Sequence, residues 1–75
     1  MEIIEAIQAE VERAEKLHPY WPEDIIHATA IMNEEAGEAI RAALNAVYQG
    51  GSIEDLRTEV VQTAATCIRI LKNLQ

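Results

Sequence analysis

With 75 residues the chain is one domain at most, residues 1–75, and a lone domain of that size buries too little surface to be comfortably stable. Thirteen Asp and Glu against six Lys and Arg give a net charge of -7, which repels phosphate backbones and anionic lipid and so disfavours nucleic-acid polymers and membranes as partners. Apolar residues make up 49%, but twelve are Ala and none is Phe, so the core is thin and a homodimer or homotetramer is the expected remedy.

The start, Met1-Glu2-Ile3-Ile4-Glu5, carries no basic segment and no apolar run long enough for export or membrane spanning, which predicts a cytoplasmic protein. A first helix follows. Ile4, Ile7, Val11 and Ala14 recur in alternating steps of four and three, a narrow apolar seam with Glu and Lys elsewhere. It ends near Leu17, because each proline in His18-Pro19-Tyr20-Trp21-Pro22 biases its predecessor away from the helical region.

Pro22 suits the first position of a second helix, with Glu23 and Asp24 complementing the positive end of the macrodipole. That helix reaches about Gln49, where Gly50-Gly51 supplies a left-handed stop. Its apolar residues span more than half the circumference, so it reads as the central helix. Ser52 and Asp55 then form a capping arrangement for a third helix running to Leu74, whose apolar arc includes Ile53, Leu56, Val60, Ala64, Cys67, Ile68 and Leu71. Cys67, the single cysteine, reads as a buried, reduced thiol. Both links are short, so sequential helices are expected as antiparallel neighbours. The fold class is all-α: a three-helix antiparallel array that forms a larger helical bundle by oligomerisation.

On a wheel at about 100° per residue, Asp24, His27, Glu34, Glu35, Glu38 and Asn45 of the second helix share one arc. Acidic runs on helices are commonly solvated faces. Here, however, Glu35 and Glu38 lie three apart, as do Glu59 and Gln62 on the third helix, and residues so spaced present their ends to a common point. Glu35 and Glu59 also sit beside apolar arcs instead of opposite them. Carboxylates converging from two helices repel one another unless a divalent cation lies between them, and hard oxygen ligands suit Mg²⁺ or Mn²⁺. Bound cations would let a small anionic nucleotide approach even this acidic chain.

Glu34-Glu35-Ala36-Gly37-Glu38 on one helix and Glu59-Val60-Val61-Gln62 on the next resemble the E-E-x-x-E and E-x-x-D pattern of the MazG-like all-α nucleoside triphosphate pyrophosphatases, especially their short phage-type and cassette-borne members. The resemblance spans most of the chain, with helix order and the Gly50-Gly51-Ser52 loop in agreement. It implies Mg²⁺-dependent (Mn²⁺ as the substitute) hydrolysis of a ribo- or deoxynucleoside triphosphate to the monophosphate and pyrophosphate. Sites in that family lie at subunit interfaces. Glu35, Glu38 and Glu59 would ligate metal, Glu38 also serving catalysis, and Glu34 would be an outer carboxylate or the base for the attacking water. Gln62 stands where the family has Asp, removing a negative charge while leaving an amide oxygen to ligate metal or orient water.

Trp21 offers a face on which a base stacks, or a lid over the bundle, and His27 a contact to phosphate or a structural role. Among Arg13, Lys16, Arg41, Arg57, Arg69 and Lys72, spacing selects no phosphate contact. Thr63 and Thr66 are expected to bond back to their own helix. The alternative is a non-catalytic helical oligomer or interaction module in which Gln62 marks a degenerate metal site.

Overall fold

The computed structural model describes residues 2–74, which form three α-helices, α1 (Ile3–Leu17), α2 (Ile25–Tyr48) and α3 (Ile53–Asn73), with no strand among them. None of the three is long and apolar enough to cross a membrane.

Each helix end has a local chemical cause. The Glu2 carboxylate accepts from the Ile4 and Glu5 amides at 3.0 and 2.9 Å, holding the start of α1. At α2 the expected boundary shifts. Pro22 does not occupy the first helical turn. Asp24 Oδ1 accepts from the Ile26 and His27 amides at 2.8 and 3.1 Å, making Asp24 the N-cap and leaving Pro22 and Glu23 outside. Satisfying two otherwise orphaned N–H groups outweighs the benefit of a preset proline φ. At the far end Gly50 takes φ +74° and the Gly51 amide donates to the Asn45 carbonyl at 2.8 Å, a left-handed stop that wraps the chain back. Ser52 Oγ accepts from the Asp55 amide at 3.0 Å and caps the start of α3, which begins at Ile53.

The helices run up, down and up. Ile3 and Ala6 lie beside Ile53 and Leu56, and Lys72 Nζ meets Glu15 Oε2 at 2.6 Å, so α1 and α3 point the same way. α2 returns antiparallel to α3 along its length, with Ala28 beside Ile70. α1 does not pack on its sequence neighbour. It lies on α3, which touches both other helices and is therefore the central one, not α2. The link from His18 to Asp24 contains two prolines and is long enough to carry the chain across α3 instead of folding it back directly.

Among the described residues only Val11, Ala28 and Ala65 are buried apolar residues, two of them alanines. α3 turns Ala65 and Arg69 inward, and Val60 and Leu71 from its expected apolar arc stay exposed because its neighbours cover two flanks and leave the third open. Cys67 is half-buried and free. Thr63 and Thr66 donate to the carbonyls of Glu59 and Gln62 at 2.8 and 3.0 Å, bonding back to their helix as expected.

Candidate metal centre and the adjoining groove

The antiparallel pairing of α2 and α3 sets Glu35 and Glu38, one turn apart, against Glu59. One carboxylate oxygen from each lies within 4.8 Å of the others. Glu35 and Glu59 are half-buried and Glu38 is exposed. Glu35 Oε2 and Glu59 Oε2 are shielded from solvent and have no hydrogen-bond partner. A buried carboxylate oxygen normally finds one, because leaving it bare costs its full desolvation.

No Lys or Arg forms an ion pair with any of the three; the ion pairs among the described residues are Arg13–Glu10, Arg57–Glu54 and Lys72–Glu15. The electrostatic consequence is a raised affinity for positive charge. Glu35 is held above the ordinary carboxylate pKa first by desolvation, then by repulsion from Glu38, Glu59, Glu10 and Glu34. Glu59 is raised by desolvation and then by Glu38, with Asp55 contributing less. Three carboxylates so placed, two of them with an unpartnered oxygen, are a set of hard oxygen donors that could hold a divalent cation.

The cluster opens on two sides. Towards α1 lies a groove of about 490 Å³, walled by Glu10 and Arg13 on one side and Ile31 and Glu35 on the other, with Gln62, Ala65 and Thr66 as its floor. On the other side Glu38 and Glu59 border a depression shared with Arg41, Asn45 and Asp55. Gln62 thus lines the same groove as Glu35. Glu34 is exposed and does not belong to the converging set, touching it only through its repulsion of Glu35. His27 is exposed on the first turn of α2 and lines neither opening.

Trp21 closes the end of the groove with the exposed Tyr20 beside it. Its ring lies under the Arg69 guanidinium, 4.6 Å from the centroid, and the same guanidinium donates to the His18 carbonyl at 2.6 Å. Arg69 is only 8% exposed. One cation therefore anchors the proline-containing link to α3, by stacking and by a charged hydrogen bond. Arg69→Met should lower stability by about 2 kcal/mol, the worth of a hydrogen bond to a charged group, and should reduce the urea midpoint with an unchanged slope. An unchanged midpoint would show that the link is held by other contacts.

Spacing does not mark Arg69, Glu10 or, beyond its place in the α3 cap, Asp55 as part of this site. Arg69 was indistinguishable from five other basic residues. Glu10 lies between Ile7 and Ala14 of the α1 seam, and Asp55 one turn before Glu59 on α3, and both face the cluster closely enough to act on it. Those placements were the available signals. No family model matches the sequence, and no curated protein or solved structure is significantly similar to it.

Proposed function

We propose that this protein is a metal-dependent nucleoside triphosphate pyrophosphohydrolase that converts ribo- or deoxynucleoside triphosphate to the monophosphate and pyrophosphate, working as a homodimer or homotetramer. The observation that carries the reading is the convergence of Glu35, Glu38 and Glu59 with two buried, unpartnered carboxylate oxygens. Those three residues would hold Mg²⁺ or Mn²⁺, with Gln62 in the groove that Glu35 also lines. When bound, such a cation neutralises polyphosphate charge and lowers the pKa of water. Glu34, outside the converging set, is the outer carboxylate in this reading.

The groove supports it further. It joins Glu35 and Gln62 to Arg13 and to the aromatic pair Tyr20 and Trp21, so charged and stacking surfaces lie along one channel. Arg69 already covers one Trp21 face, leaving the rest of the ring and Tyr20 for a base.

The test is a screen of common ribo- and deoxynucleoside triphosphates with each metal, assayed for pyrophosphate. Orthophosphate as the first product would mean attack at the terminal phosphate and exclude this reaction. Gln62→Asp should lower the metal concentration required for activity if the amide merely weakens the site. Reduced turnover at saturating metal would instead show that Gln62 is fitted to this site.

The second reading is a non-catalytic helical oligomer, favoured by the many large apolar side chains left exposed on one chain. Inactivity on every nucleotide with both metals, from a protein shown to be assembled, would establish it.

A further inference from the structure

The side of α2 turned away from α3 carries an uninterrupted strip at steps of four and three: Ile26, Ala30, Asn33, Gly37, Ile40, Leu44 and Val47. Every one of these residues is exposed, and the large ones strongly so, with Ile26 at 78%, Ile40 at 64%, Leu44 at 53% and Val47 at 70%. Alternating steps of four and three are the seam along which two helices pack together, and at 1.5 Å per residue this one runs for about 32 Å. A Cβ added at Gly37 would meet nothing within 4 Å, so the glycine serves no packing need inside the chain.

The strip is asymmetric in a way that selects its occupant. Small or polar residues fill its first half and middle after Ile26, and large ones its last third. Two copies placed antiparallel about Gly37 set Ile40 against the partner's Asn33, Leu44 against the partner's Ala30, and Val47 against the partner's Ile26. Large meets small at two of these positions, and the glycines lie at the axis where the backbones come closest. The flank agrees. Glu34 and Arg41, each one residue beyond a strip position, form no ion pair among the described residues, and this register brings Glu34 to the partner's Arg41 twice, once on either side of the axis. A parallel in-register pair would instead oppose Ile40 to Ile40 and Leu44 to Leu44 and would separate those charges by about two turns of helix. The exposed strip of α3, with Ile53, Val60 and Leu71, has apolar residues but no charge pattern that chooses a partner.

We propose that α2 pairs antiparallel with α2 of a second copy of this chain across a two-fold axis at Gly37, flanked by two Glu34–Arg41 ion pairs. This deepens the oligomeric part of the reading above and is independent of its chemistry. It also places α2 between α3 and the partner, making it a central helix in the assembly.

Analytical ultracentrifugation across a concentration series tests it. The wild-type chain should be a dimer at micromolar concentration. Leu44→Glu, at an exposed position, should leave helical circular dichroism intact and yield a monomer. Glu34→Arg and Arg41→Glu alone each oppose like charges and should weaken the dimer about tenfold. The double variant should restore it to near wild-type affinity, which only the antiparallel register allows. A wild-type monomer would overturn the interface and the oligomer together, without bearing on pyrophosphate release. A dimer indifferent to Leu44→Glu, or a double variant no tighter than the singles, would show assembly through another face and equally overturn the proposal.

Discussion

Glu38→Ala should all but abolish pyrophosphate release, by roughly 100- to 1,000-fold at saturating substrate, since metal-assisted charge stabilisation is worth several kcal/mol and each 1.4 is tenfold. The side chain is one of three that converge, and being exposed it leaves no cavity when truncated. Loss of fold therefore does not confound the result. Gln62→Ala should cost far less, about tenfold, because a neutral amide contributes a dipole where a carboxylate contributes a full charge. Glu12, an acid on the exposed side of α1, supplies the control: Glu12→Ala should leave turnover unchanged. If Glu38→Ala and Glu12→Ala behave alike, the cluster is not where the chemistry occurs.

Metal should transform the stability of the protein as well as its activity. Without a cation, Glu35 and Glu59 have pKa values raised above the ordinary 4.5, so from that pH upward the folded state retains protons that the unfolded chain has released. With more protons bound in the folded state, stability falls as pH rises through that window. The charges responsible face the site from all three helices: Glu10 on α1, Glu34 and Glu38 on α2, and Asp55 on α3. The metal-free protein should accordingly melt at a lower temperature near neutrality than just above pH 4.5.

A divalent cation held by the cluster should reverse that dependence, because it would bind the ionised carboxylates in competition with protons. At a hundred times its dissociation constant it adds about 2.7 kcal/mol. For a domain of this size that raises the melting temperature by about 10–20 °C. Glu38→Gln separates the two effects: it removes a repelling charge and a ligand together. The metal-free variant should melt no lower than wild type, while its gain on adding Mg²⁺ or Mn²⁺ should shrink. Identical gains in wild type and in Glu35→Gln, Glu38→Gln and Glu59→Gln variants would sink the metal centre.

Much of the fold is legible along the chain because its causes are local. Two prolines in five residues end α1, Gly50 meets a demand for positive φ, and the Ser52 hydroxyl caps α3 across three residues. The convergence of Glu35 and Glu38 follows from helical pitch alone, and their meeting with Glu59 from the short turn that folds α3 back on α2. At the start of α2, Pro22 and Asp24 are both good starters, and only the hydrogen bonds made by Asp24 choose between them.

What spacing could not determine is the position of α1. Helical periodicity states which face is apolar but not which helix will cover it, and the link of His18 to Asp24 permits either neighbour. Docking on α3 brings Glu10 towards Glu35, seats Arg69 between Trp21 and the His18 carbonyl, and forms the groove. It also leaves the outer strip of α2 bare. Identity, spacing and caps are properties of neighbours in sequence and were determined by the sequence itself. The groove, the anchoring of Arg69 on a carbonyl 51 positions away and the exposed strip depend on packing between residues distant in sequence, and only the tertiary structure decided them.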